Sequence, residues 1–185
     1  MPVSMILAED NILTSMILRT ELEKSGYTVS AVARSGPEVI GKWRSMQPDV
    51  VVLDVMLPET DGLKVTRAMM EERPTCVVII TGMGDYQQHA DDAGAMGYVE
   101  KPFEVEQLAA EIERARTRFD WFNTLCASEQ SPEAALDTWR SVFRAVKQLA
   151  SKEHVPETEA LHRLQQTAVE QQLSLREAAE REAGA

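Results

Sequence analysis

Residues 1–118 predict an α/β fold, a parallel sheet covered by helices on both faces, and the residues after them predict a small helical unit. Three observations carry this. Asp49-Val50-Val51-Val52-Leu53-Asp54 and Cys76-Val77-Val78-Ile79-Ile80-Thr81 are unbroken apolar runs. Without the alternation of a half-exposed strand, they imply burial on both faces. Helical patterns stand between the strand-like runs, as in βα units. From Leu108 onward the pattern is helical alone.

Each element has its own signal. Val3 to Ala8 is a short apolar run stopped by Glu9 and Asp10. Leu13, Ile17 and Leu22 mark a helix, and Gly26 suits its end before the β-rich run Tyr27 to Val32. Pro37 opens a second helix that runs to Met46. Leu63 to Met70, Tyr86 to Ala95 and Val105 onward give three more, and Gly97-Tyr98-Val99 is a fifth, very short strand. Five such units point to a flavodoxin-like (βα)5 domain with strand order 2-1-3-4-5, whose site lies at the carboxyl ends of the strands.

Composition narrows the function. The 185 residues allow one full domain and a small second one. At 44% hydrophobic and 26% charged, the chain reads as an ordinary globular protein. Two cysteines, Cys76 and Cys126, cannot build a disulfide framework or a zinc site, which fits the cytoplasm. No apolar run approaches the ~20 residues of a membrane-spanning helix, and the first is cut too short for a secretory signal. The net charge of −11 argues against nucleic-acid binding by bulk electrostatics. Residues 1–118 carry −7 of it and residues 119–185 carry −4, so neither part is basic.

At the strand ends stand Glu9 and Asp10 after the first, Asp54 after the third, Thr81 after the fourth and Lys101 after the fifth. Carboxylates gathered in one shallow pocket repel each other unless a cation joins them, and oxygen donors with open positions favour Mg²⁺. With a metal, a lysine and a hydroxyl nearby, Asp54 is equipped as a nucleophile toward a phosphoryl group. Each residue alone has an ordinary reading: an acid that caps the next helix, or a structural threonine or lysine. Their joint occurrence at the strand ends favours the chemistry.

These residues carry a resemblance. Ala8-Glu9-Asp10-Asn11, Val51 to Pro58 with Asp61-Gly62, Thr81-Gly82, and Gly94-Ala95 with Gly97-Tyr98-Val99-Glu100-Lys101-Pro102-Phe103 resemble a bacterial response-regulator receiver domain over about residues 1–120. The resemblance implies that Asp54 takes a phosphoryl group from the phosphohistidine of a sensor histidine kinase. It implies Mg²⁺ held by Asp10, Asp54 and the carbonyl of Met56, with Glu9 shaping the metal site. Lys101 would pair with the phosphoryl oxygens, Thr81 would swing toward them, and Tyr98 would turn inward behind it. A cis Lys101-Pro102 bond is implied as well. Such a protein is no enzyme beyond gaining and losing its own phosphoryl group. A metal-dependent phosphatase ranks below this reading because the chain shows no lid or substrate domain.

Beyond the receiver, Leu108, Ile112, Ala115, Phe119, Phe122 and Cys126 form a heptad-like seam on a helix reaching about Ala127. The spacing suits either a hairpin packed within the chain or a dimerising coil. Ser131 can cap, and Pro132 open, a helix to about Glu153 whose inward positions are Leu136, Trp139, Phe143, Val146 and Ala150. A third helix starts at Pro156 with Ala160, Leu161, Leu164, Ala168 and Val169 inward. Ser174-Leu175-Arg176-Glu177 is a capping box that opens a fourth. The expected organisation is a receiver domain over 1–118, a helical linker over 119–131 and a three-helix domain over 132–185.

Arg118-Phe119, Ala134-Ala135-Leu136, Arg144-Ala145, Glu159-Ala160-Leu161, Leu164, Ala168-Val169 and Ala178-Ala179 make residues 115–182 similar to an ANTAR output domain and the coil before it. That resemblance implies an RNA-binding antiterminator that grips hairpins in transcripts as a phosphorylation-dependent homodimer. Arg140, Arg144 and Lys147, spaced by 4 and 3, would offer a basic face for RNA. The polar positions depart from the family's: Val146-Lys147 stand where a Lys-Gly pair is usual, and Gln165-Gln166 where bases are usual. The alternative is therefore a regulator whose phosphorylation controls dimerisation or protein contacts, without RNA.

Overall fold

The computed structural model describes residues 2–84, 86–127, 129 and 131–184. The chain divides into two compact units, Met1–Thr124 and Leu125–Ala185.

The first unit is a five-stranded, wholly parallel sheet in the order β2-β1-β3-β4-β5, formed by β1 (Ser4–Ala8), β2 (Thr28–Ala33), β3 (Val50–Asp54), β4 (Cys76–Thr81) and β5 (Gly97–Glu100). This is the flavodoxin-like order expected. Every residue of β3 and β4 is buried, as their unbroken apolar runs require. The helices are α1 (Ile12–Lys24), α2 (Gly36–Met46), α3 (Gly62–Glu72), α4 (Gln87–Ala93) and the long α5 (Val105–Cys126). Side chains of Asn11 and Asp61 cap α1 and α3 by accepting from Thr14 N–H and Leu63 N–H. Gly94, at φ 93°, ends α4 two residues short of the expected Ala95, in the left-handed conformation that glycine adopts freely.

Two helices are phased differently from the sequence reading. On α1 the buried residues are Ser15, Leu18 and Leu22, while Leu13 (72%) and Ile17 (62%) are exposed together with Ile12 and Met16. Apolar residues lie on both sides of this helix, so periodicity alone does not say which side meets the sheet. On α5 the buried positions are Leu108, Glu111, Ile112, Ala115, Arg118 and Phe122. Much of the seam read as a hairpin or a dimerising coil is thus buried within this chain, and Phe119 is only half-buried.

The second unit packs α6 (Pro132–Glu153), α7 (Glu157–Glu170) and α8 (Leu175–Ala183) mutually. Ser131 caps α6, accepting from Ala134 N–H, and the Ser174–Glu177 capping box is complete. Leu136, Trp139, Phe143 and Val146 are buried, with the Trp139 and Phe143 rings stacked at 4.9 Å. Val169 does not point inward as expected but is 77% exposed, because one step beyond buried Ala168 turns about 100° around a helix.

Candidate functional site

The register of the sheet builds the site. Ala8 pairs with Leu53, so the residues after them, Glu9 and Asp54, emerge side by side at the carboxyl edge. Thr81 pairs with Glu100, and Lys101 N–H donates to the Thr81 carbonyl at 2.8 Å, so Lys101 begins where β5 ends. The β3–α3 turn is held close: a Cβ on Gly62 would lie 2.4 Å from the Asp54 carbonyl oxygen and 2.9 Å from Val55 Cα. Only glycine allows that approach.

Glu9 and Asp54 are buried, with 2% and 5% exposure. Lys101 Nζ bridges them, donating to Glu9 Oε2 at 2.6 Å and to Asp54 Oδ2 at 2.5 Å. The other oxygen of each carboxylate accepts a main-chain N–H: Glu9 Oε1 from Asn11 and Asp54 Oδ1 from Met56, at 3.2 and 2.9 Å. Burial alone would lower the Lys101 pKa. The hydrogen bonds to Asp54 and Glu9, with the two charges behind them, outweigh it and hold the ammonium above its ordinary value.

Among the described residues, no group of three or more His, Cys, Asp or Glu is gathered to hold a metal ion. Of the three carboxylates expected to converge, Glu9 and Asp54 stand together. Asp10 is exposed to solvent, and the structure brings together Glu9, Asp54 and Lys101 instead. The donor set still fits a hard divalent cation. Two buried carboxylates share one ammonium, a net negative charge, with a third carboxylate next in sequence and oxygen donors throughout. Met56 contributes main chain here, its side chain being 61% exposed.

Thr81 is fully buried, and its Oγ1 accepts from Met83 N–H at 3.1 Å. Tyr98, half-buried, donates from its hydroxyl to the Met83 carbonyl at 3.2 Å. Both residues therefore hold the same stretch of the β4–α4 loop. The Lys101-Pro102 peptide is cis.

In the second unit, Arg140 Nη1 donates to Asp137 at 2.8 Å, Lys147 Nζ lies 4.4 Å from the centre of the Phe143 ring, and Arg144 is exposed. Arg163 is paired with Glu153 and Glu159, Arg176 with Glu180 and Lys152 with Glu182.

Sequence reasoning missed two features. One is the exposed apolar face of α1, described above. The other is a buried ion pair, Glu111 Oε1 to Arg118 Nη1 at 2.6 Å. A signal for it was present: Leu108, Glu111, Ala115, Arg118 and Phe122 repeat at 3, 4, 3 and 4, so charges share a face with core residues.

Among proteins of known kind, the chain is 30% identical over 181 residues to the "Transcriptional regulatory protein PdtaR" of Mycobacterium tuberculosis, covering 97% of this chain and 88% of that one. It is 27% identical over 112 residues to the "Chemotaxis protein CheY" of Thermotoga maritima, covering 59% of this chain and 93% of that one. Among solved structures, a two-component response regulator of the LuxR family from Aurantimonas sp. matches with a TM-score of 0.60 and 28% identity, over 63% of this chain and 86% of that one. Among the described residues, no helix is long and apolar enough to cross a membrane. The family description "Response regulator receiver domain" matches residues 5–113, the stretch that builds the sheet and the Glu9–Asp54–Lys101 cluster, and the chain belongs to the response regulators of two-component systems.

Proposed function

We propose that Asp54 accepts a phosphoryl group from the phosphohistidine of a sensor histidine kinase, and that the second unit is an ANTAR-type output that binds RNA hairpins for transcription antitermination. The observation that carries the first half is the bridge of Lys101 to Asp54 and Glu9 at the carboxyl edge of the sheet. An oxygen of the Asp54 carboxylate attacks phosphorus. As the O–P bond forms, the N–P bond of the phosphohistidine breaks, and the electron pair remains on the imidazole nitrogen. Lys101, already within hydrogen-bond reach of Asp54, then pairs with a phosphoryl oxygen. Glu9, Asp10, Asp54 and the main-chain carbonyl of Met56 would hold Mg²⁺, which when bound supplies positive charge to the transferring oxygens.

Thr81 carries the response outward. Its hydroxyl leaves Met83 N–H for the phosphoryl oxygens, and Tyr98, bonded to the carbonyl of the same Met83, moves into the vacated space. The exposed Ile12, Leu13, Met16 and Ile17 on α1 stand just beyond Asp10 and the capping Asn11, and suit docking of the kinase's own apolar helices. The output reading rests on the apolar positions of α6, α7 and α8, and on similarity that runs nearly end to end with a transcriptional regulatory protein. Residues 1–118 would be the receiver, 119–131 the linker and 132–185 the output domain, with phosphorylation favouring a homodimer.

Acetyl phosphate with Mg²⁺ should label the protein in acid-labile form and leave Asp54→Asn unlabelled; equal labelling of both refutes the assignment. The phosphorylated protein should bind hairpin RNA with an affinity that falls with salt. A second reading is favoured by the ion pairs of Arg140, Lys152, Arg163 and Arg176 with acids of their own unit: phosphorylation controls dimerisation or a protein contact. Salt-insensitive or absent RNA binding selects it.

A further inference from the structure

The buried pair on α5 reaches the main chain where β5 begins. Arg118, 7% exposed, donates from Nη1 to Glu111 Oε1 at 2.6 Å and to the Met96 carbonyl at 2.8 Å. Glu111, 8% exposed, also accepts the Tyr98 N–H in a long bond of 3.4 Å, and Arg114 Nε at 2.7 Å. The two charged groups therefore grip the main chain on either side of Gly97, at Met96 just before β5 and at Tyr98 within it. Gly97 is what lets them approach: a Cβ there would meet Ala115 Cβ and Glu111 Oε1, both at 3.1 Å.

Replacing a buried ion pair by apolar residues of similar volume often leaves stability unchanged or raises it, so stability alone is a weak account of this pair. Its directional bonds supply something an apolar contact does not. A methylene slides over a strand, whereas a guanidinium on the Met96 carbonyl and a carboxylate on the Tyr98 N–H fix α5 in one register against β5. α5 then runs on to Cys126, past Thr124, where the first unit ends.

We infer that Glu111 and Arg118 are positioning residues that fasten α5 to the main chain of β5 at Tyr98, so that movement of Tyr98 is handed to the helix leading out of the receiver unit. The inference rests on the proposed phosphorylation of Asp54 and names the route by which it leaves that site. In the resting arrangement the Tyr98 side chain is bonded to Met83 on one side and its N–H to Glu111 on the other. Displacing the ring strains the N–H bond, and the buried carboxylate, paired with buried Arg118, transmits that strain along α5. A contact made of side-chain packing alone would absorb it.

The test uses the full chain with and without beryllofluoride and Mg²⁺, read by hydrogen exchange, after acid-labile labelling by acetyl phosphate has been measured for each protein. The variant Glu111→Met/Arg118→Met removes both charges while keeping volume, so that no uncompensated charge is left inside. In the wild type, beryllofluoride should change exchange both in residues 81–93 and along 105–126. In the double variant, labelling and the 81–93 change should persist, while the 105–126 change falls by about tenfold, the order set by losing charge-assisted hydrogen bonds. Glu111→Gln, which keeps an acceptor for Tyr98 N–H, should fall between the two, and serves if the double variant does not fold. An undiminished 105–126 response in the variants, or none in the wild type, overturns the fastening. Absence of labelling in the wild type instead refutes the phosphoryl reading itself, and the fastening with it.

Discussion

Removing the Lys101 ammonium should be costly in a way that follows from its two bonds. In Lys101→Met the carboxylates of Glu9 and Asp54, both buried, lose the positive charge they share at 2.6 and 2.5 Å. Breaking a buried pair by deleting one partner costs about 3–5 kcal/mol, because an uncompensated charge stays inside. A quarter of the Lys101 side chain meets solvent, so the lower end, about 3 kcal/mol, applies. With a urea m-value of about 2 kcal/mol/M, the midpoint of the receiver unit should drop by about 1.5 M. Native-state exchange of the β1, β3 and β4 amides against urea reports that unit separately from the helices that follow. Adding Glu9→Gln to Lys101→Met should recover part of the loss, since one of the two stranded charges is then gone. Magnesium should stabilise Lys101→Met more than the wild type, because a cation substitutes for the missing ammonium. A midpoint within about 0.2 M of the wild type would refute the reasoning, since it would show the two carboxylates indifferent to their counter-charge.

Further outcomes are expected elsewhere. Gly62→Ala sets a methyl against the Asp54 carbonyl and Val55 Cα, and should destabilise the receiver unit by about 2–4 kcal/mol and slow labelling by acetyl phosphate; an unchanged labelling rate would show that the turn does not hold Asp54 in place. Tyr27, pushed up to about 12 by burial and then by its hydrogen bond to Glu113, should give a late phase of phenolate absorbance on alkaline titration. The folded state favours its protonated form, so that contribution to stability is present below pH 10 and is lost as pH rises toward 12; Tyr27→Phe should abolish the late phase, and its survival would contradict the assignment. Leu13→Ser/Ile17→Ser on the open face of α1 should change stability by less than about 1 kcal/mol. The same variant should slow transfer from a phosphorylated sensor kinase while leaving acetyl phosphate labelling intact, and equal loss from both donors would count against docking there.

Much of this was legible in the sequence for a physical reason. β3 and β4 are Val/Ile runs with no polar interruption, and only a doubly covered parallel strand accommodates them. Once those strands are fixed, Asp54 and Thr81 fall at one edge by counting residues, and Lys101 joins them after the short β5. The remainder was hidden where local pattern is symmetric or polar. Ile12, Leu13, Met16 and Ile17 are as apolar as buried Leu18 and Leu22, and only the docked sheet shows which group is covered. Glu111 and Arg118 escaped notice because such residues are rarely buried unless paired, and the pairing spans seven residues. Asp10 adjoins Glu9 in sequence, yet adjacent side chains diverge, so one enters the cluster while the other faces water.

The order of the strands along the chain bears on how the protein is made. Glu9 and Asp54 come from the ends of the first and third strands and meet as soon as β1 and β3 pair, whereas Lys101 arrives only after β5, an edge strand and the last to be synthesised. A nascent chain that ends before residue 101 would enclose two like charges without the ammonium that offsets them. Partial sheets of three or four strands should therefore gain less from pairing than the complete one, to which β5 brings its own counter-charge.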